Sequence, residues 1–172
     1  MLYLIRHCSS PSQHPDSPLT EAGLVQAEQL ADSLADVPFA QIVSSPYVRA
    51  MATAAPLAAR LGLPVVTDAR LSEFRLSTED SPDWQDRLRA TFADPDCVWP
   101  GGESARTATA RARAVIDTLD RSAPVAVVTH GRLMSLLLAS LGMPFGFEDW
   151  KALTNPDVYR IGPKVERVWR GG

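Results

Sequence analysis

Apolar and polar positions alternate between two kinds of segment along most of the chain. Residues 2–5 form a short continuous apolar run that stops at Arg6 and His7, the pattern of a strand buried on both faces. Residues 39–43, 63–67 and 125–128 repeat that form, the last as an unbroken β-branched and small apolar run. Helical periodicity fills the intervals. Leu24, Ala27, Leu30, Ala31 and Leu34 share one face behind Thr20, a suitable cap. A second helix is expected from Ser45 as N-cap and Pro46 as first residue, through Arg49, to Gly62 as stop; Pro56 should kink or break it. Further helices are expected over 83–92, 103–121 and 133–141, the fourth with Ala108, Ala112, Val115 and Leu119 inward. A helical turn follows Pro144, and residues 158–161 and 165–169 flank Gly162-Pro163-Lys164 as a hairpin or edge strands.

Strands alternating with helices predict a mainly parallel sheet covered on both faces, a three-layer α/β/α sandwich. Ligands of such sheets gather beyond the carboxyl ends of the strands. The unusual residues fall there three times: Arg6 and His7, the stretch from Ser44 to Arg49, and His130-Gly131. Two guanidiniums can grip phosphate oxygens bidentately, and an imidazole with an ordinary pKa near 6.5 is largely neutral and nucleophilic at cellular pH. The nearby cations should depress that pKa further. A leaving alkoxide needs a proton, and Glu73, in a loop that follows a strand, is the best-placed carboxyl. The irregular stretch 77–102 would form a wall or lid.

Composition narrows the classes. A chain of 172 residues reads as one domain, 1–172. Formal net charge is −3 without like-charge blocks, so neither nucleic acid nor a membrane surface is an expected partner. Cys8 and Cys97 lack metal-ligand spacing, which predicts reduced thiols and a cytoplasmic location. The apolar start is too short for a signal peptide, and no run is long enough to span a bilayer. Oligomeric state is left open.

Taken together, the residues resemble the histidine phosphatase superfamily, in the branch that includes the cofactor-dependent phosphoglycerate mutases. The resemblance rests on Leu-Ile-Arg-His at the start, Pro18-Leu19-Thr20 with Gly23 and Gln26-Ala27, Ser44-Ser45-Pro46 with Arg49-Ala50 and Thr53-Ala54, Leu71-Ser72-Glu73, Gly101-Gly102-Glu103-Ser104, and Val128-Thr129-His130-Gly131. These stand in the family's order across nearly the whole chain. The resemblance implies a phosphoglycerate mutase-like fold and a phosphohistidine on His7. It also implies a phosphate pocket of Arg6, Arg49 and His130, Glu73 as proton donor and then base, and Gln13 as a polar phosphate contact. It implies no metal and no nucleotide cofactor. Cys8 stands where the family most often has Gly, and Ser9-Ser10 replaces the acidic-then-hydroxyl pair usual in the mutases. With the short loop before Pro18, this favours hydrolysis of a small phosphorylated substrate over a mutase reaction. A protein phosphohistidine phosphatase and a non-catalytic phospholigand-binding module are the alternatives, and metal binding by His7, His14 and Cys8 lacks a standard spacing.

Several residues carry plain structural readings. His14 reads as solvated, Cys8 as packing, Trp84 and Trp99 as core anchors, and Arg106, Arg111 and Arg113 as a solvated helix face. Arg75 reads equally as a surface residue or as a contact for a second anionic group.

Overall fold

The computed structural model describes residues 1–171. The order is β1 (Leu2–Arg6), α1 (Glu21–Leu34), β2 (Gln41–Ser44), α2 (Val48–Leu61), β3 (Val65–Thr67), a short 3₁₀ turn (Ala69–Leu71), α3 (Trp84–Ala93), α4 (Ala105–Ile116), β4 (Val125–Thr129), α5 (Gly131–Ser140), α6 (Phe147–Lys151), β5 (Asp157–Ile161) and β6 (Val165–Arg170). The strands form one sheet in the order β3-β2-β4-β1-β5-β6. β3, β2, β4 and β1 run parallel, and the β5–β6 hairpin extends the sheet antiparallel beside β1.

Alternation of side chains along each strand sorts the core into two layers. Leu2 and Leu4 of β1, with Val125 and Val127 of β4, pack against α4 and α5. Tyr3 and Ile5, with Ala126 and Val128, pack against α1 and α2. Both faces are covered, so the central strands need no polar side and read as continuous apolar runs. The mainly parallel three-layer architecture is the expected one.

Three local expectations change. Leu24, assigned to the buried face of α1, is 55% exposed. Gly23 is buried instead, because the Ser9 carbonyl lies where a Cβ would project. The loop after β1 thus packs against the first turn of α1 at Gly23, while Ala27, Leu30, Ala31 and Leu34 keep the expected buried face. Secondly, α2 starts at Val48, not at Pro46, and Tyr47 stands at the cap position without a side-chain cap bond. The Ser45 hydroxyl lies 2.8 Å from His130 Nε2 and accepts from the Tyr47 amide at 3.3 Å, ahead of the first helical residue. Beyond that start the helix continues through Pro56, held by the buried Ala50, Ala54, Leu57 and Ala58 on the flanking turns, and Gly62 ends it at a positive φ of 64°. Thirdly, α4 stops at Ile116, and Asp117 and Thr118 close its last turn onto Arg113 and Val115. Its cap is Ser104, whose hydroxyl accepts from the Thr107 amide.

Candidate active site

Parallel pairing of β1, β4 and β2 brings three strand ends together. Arg6 is in register with Thr129, and Ser44 with Val128, so His7, Ser45 and His130 emerge side by side. His7 N–H bonds to the Thr129 carbonyl at 3.0 Å and Ser45 N–H to the Val128 carbonyl at 2.9 Å, which fixes the backbone there.

His7 is 4% exposed. Its Nδ1 lies 2.7 Å from the Cys8 carbonyl oxygen, which can only accept, so the ring proton sits on Nδ1. The lone pair is therefore on Nε2, where the Nε–H of Arg49 donates to it at 3.1 Å. Burial, reinforced by Arg49 and Arg6 against the opposing Cys8 bond, holds the His7 pKa down to about 3. Asn155 Nδ2 donates to the His7 carbonyl at 2.7 Å and closes the backbone from the β5 side.

Arg49 is fully buried. Besides His7 it donates to the carbonyls of Gln13 and His14 at 3.2 and 2.8 Å, and Gln13 Oε1 lies 3.5 Å from Nη2. The Tyr47 ring lies 5.0 Å from its guanidinium carbon. Arg6 donates through Nη1 to the carbonyls of Leu153 and Thr154, while its Nε has no partner among the described residues. Gly131 lies directly against it: a Cβ there would stand 3.1 Å from Arg6 Nε. Burial lowers the pKa of both arginines from the ordinary value. His130 is wholly buried, 5.2 Å from the His7 ring by centroids, and its Nδ1 lacks a partner among the described residues. Burial, with the charges of the nearby cations, puts its pKa well below the usual histidine range.

Glu73 sits at the N-terminus of α5. Its Oε1 accepts from the amides of Phe74 and Leu133 at 2.7 and 3.0 Å, and Oε2 from that of Arg132 at 3.2 Å. Free helix N-terminal amides are a natural seat for a carboxyl group. Its charge is felt at Arg6, Arg49 and Arg132 alike. Beside Glu73 opens a cavity of about 700 Å³ lined by residues that include Gln13, Tyr47, Ser72, Arg75 and Ser77. Tyr47 bridges this cavity to the buried cluster, with its ring 4.9 Å from that of His130.

All six residues singled out from the sequence lie in or against this cluster. Ser45, Tyr47 and Asn155 were not singled out as site residues, although the Ser44-Ser45-Pro46 motif pointed to the first. Arg111 is no solvated side chain: it lines the cavity and pairs with Glu103. Trp84 is 44% exposed and no core anchor, packing edge-on against Trp150 at the rim of α3 and α6. Cys8 is wholly buried among the α1–α2 core residues, and burial pushes its thiol up to about 12. It packs, and has no thiolate at neutral pH. No cluster of three or more His, Cys, Asp or Glu among the described residues is placed to hold a metal ion, and no helix among them is long and apolar enough to cross a membrane.

A buried pair of imidazoles between two arginines, at the carboxyl edge of a mainly parallel sheet, belongs to an α/β enzyme of phosphoryl chemistry. The chain belongs to the histidine phosphatase superfamily, branch 1, whose model matches residues 2–169. Among relatives, the Probable phosphoglycerate mutase GpmB of Escherichia coli O1:K1 is 27% identical over 189 residues, 98% of this chain and 86% of that protein. The protein of the same name from Yersinia pestis (strain Pestoides F) is 29% identical, over 93% of this chain and 83% of its own. Mycobacterial glucosyl-3-phosphoglycerate phosphatase, solved with inorganic phosphate, aligns at a TM-score of 0.75 with 30% identity, over 99% of this chain and 96% of that one.

Proposed function

We propose that this enzyme hydrolyses a small phosphomonoester through a phosphohistidine on Nε2 of His7. The observation that carries the reading is the His7 tautomer. The Cys8 carbonyl holds the proton on Nδ1, so the Nε2 lone pair is presented among donors suited to a phosphoryl group. Arg6 Nε and His130 Nδ1 are the unspent atoms of that group, and Arg49 exchanges its bond to His7 for the phosphate oxygens as substrate arrives. Nε2 attacks phosphorus, the bond to the ester oxygen breaks, and Glu73 passes a proton to the departing alkoxide. The Glu73 carboxylate then takes a proton from the water that attacks the phosphohistidine, releasing phosphate and neutral His7. Oε2 accepts one long backbone bond where Oε1 accepts two, which makes it the oxygen that exchanges the proton.

The mycobacterial phosphatase solved with inorganic phosphate, and with vanadate, supports a hydrolase. The mutase names of the bacterial relatives support the second reading, phosphoryl return to a second hydroxyl of the same small acid. In both, Gln13 contacts the phosphate beside Arg49. Two unpaired cysteines fit a cytoplasmic setting. The test is phosphate release from 32P-labelled p-nitrophenyl phosphate, with quenching in alkaline detergent to trap the protein-bound phosphoryl group. Wild type should release phosphate and show a labelled, acid-labile adduct; His7→Ala should do neither. Undiminished turnover in His7→Ala would end the nucleophile assignment, and an adduct that discharges only to an alcohol would favour the mutase.

A further inference from the structure

The hydrogen bonds of Arg111 and Glu103 have a purpose that helix packing does not explain. A guanidinium has five N–H donors, and those of Arg111 are all spent. Nε and Nη2 grip the two oxygens of Glu103 at 2.9 and 2.7 Å. Nη1 donates to the carbonyls of Arg70 and Ser72 at 2.5 and 2.9 Å, and Nη2 to that of Glu73 at 3.3 Å. Glu103 completes the bracket, since its Oε1 accepts from the Arg75 amide at 3.1 Å and its own amide donates to the Arg75 carbonyl at 2.9 Å. The backbone on both sides of Glu73 is thus tied to one ion pair, whose side chains are only 21% and 14% exposed. Although Arg111 lines the cavity, it has no donor left for substrate.

We propose that the Arg111–Glu103 pair is the positioning device for Glu73, setting the carboxyl at the leaving-group oxygen by fixing residues 70–75 from both sides. This rests on the reading of Glu73 as proton donor. Arg111 and Glu103 themselves touch neither phosphate nor leaving group. A lysine at 111 keeps the charge but cannot reproduce the planar fork.

The experiment compares an activated ester, p-nitrophenyl phosphate, with an alkyl ester, β-glycerophosphate. General acid catalysis contributes on the order of a hundredfold or more and matters where the leaving group is a poor one, so Arg111→Lys and Glu103→Gln should lose about ten- to a hundredfold in kcat on the alkyl ester and less than about threefold on the aryl ester. KM should change little. In a Glu73→Gln background, which shows the same pattern, Arg111→Lys should add nothing more. Equal losses on both esters, or losses that add to those of Glu73→Gln, would overturn the proposal. If wild type turns over neither ester, the phosphatase reading itself fails. Amide exchange then decides the bracket alone: Arg111→Met should speed exchange at Arg75 and leave β4 unchanged, and unaltered exchange at Arg75 would overturn it.

Discussion

At the scale of single residues the site is an exercise in keeping imidazoles neutral. The sequence suggests that Arg6 and Arg49 depress the His7 pKa, and they do, but burial is the larger cause. Burial could not be read from residue types at that position, since a histidine after a strand is as easily solvated. The linkage has a definite sign. An imidazole whose folded pKa lies below its unfolded value leaves the unfolded chain holding more protons between the two, so stability falls as pH drops through that window. For His7 the window runs from 6.5 down to about 3. Going from pH 7 to pH 5, His7 alone should cost about 2 kcal/mol, with His130 adding in the same direction. Urea unfolding at the two pH values checks this, with His7→Gln expected to show a shallower decline. An equal decline in that variant would mean that His7 is not held neutral in the fold. Cys8 belongs to the same residue-scale account: its backbone carbonyl orients His7 and its amide donates to Thr53 Oγ1 at 2.9 Å, while the side chain only fills space.

At the scale of elements, close approach overrides propensity. Gly23 lowers the helix propensity of α1 by up to about 1 kcal/mol relative to alanine, so Gly23→Ala would stabilise an isolated helix. In the protein a Cβ at that position runs into the Ser9 carbonyl oxygen, which also accepts the Thr20 amide at 3.0 Å. The substitution should therefore destabilise, by about 1–3 kcal/mol as overpacking does, and loosen the loop that follows His7. A raised melting temperature for Gly23→Ala would refute the contact. The same logic marks the limit of what the pattern reveals. Strands β1, β2 and β4 were legible because burial on both faces leaves an apolar run with little room for polarity. The start of α2 was not, because Ser45 carries a capping signal but its hydroxyl faces His130, a partner 85 residues away in the chain. Arg111 was misplaced for a related reason: helical periodicity says which side faces out, not that a loop lies there to be held.

At the scale of the molecule, the topology collects positive charge that nothing in the fold neutralises by pairing. The crossing from β1 to α1, β2 to α2 and β4 to α5 brings each motif to one edge of the sheet, and the order of the motifs along the chain made that edge recognisable beforehand. Arg6 and Arg49 meet there buried or half-buried, and among the described residues no carboxylate closes an ion pair with either. Glu73 is near enough to be felt, but its oxygens go to backbone amides. Taking two cations out of water without partners costs stability that a bound dianion would restore. Phosphate should therefore act as a folding ligand as well as a product. At a hundredfold excess over its dissociation constant it should add about 2.7 kcal/mol, which for a chain of this size raises the melting temperature by about 5–10 °C. Arg49→Gln should melt no lower than wild type without phosphate, because a buried charge has been removed, and should gain much less from adding it. The measurement is a thermal melt of both proteins in phosphate and in sodium chloride of equal ionic strength. A shift of the same size in sodium chloride, or in Arg49→Gln, would place the anion somewhere other than this site.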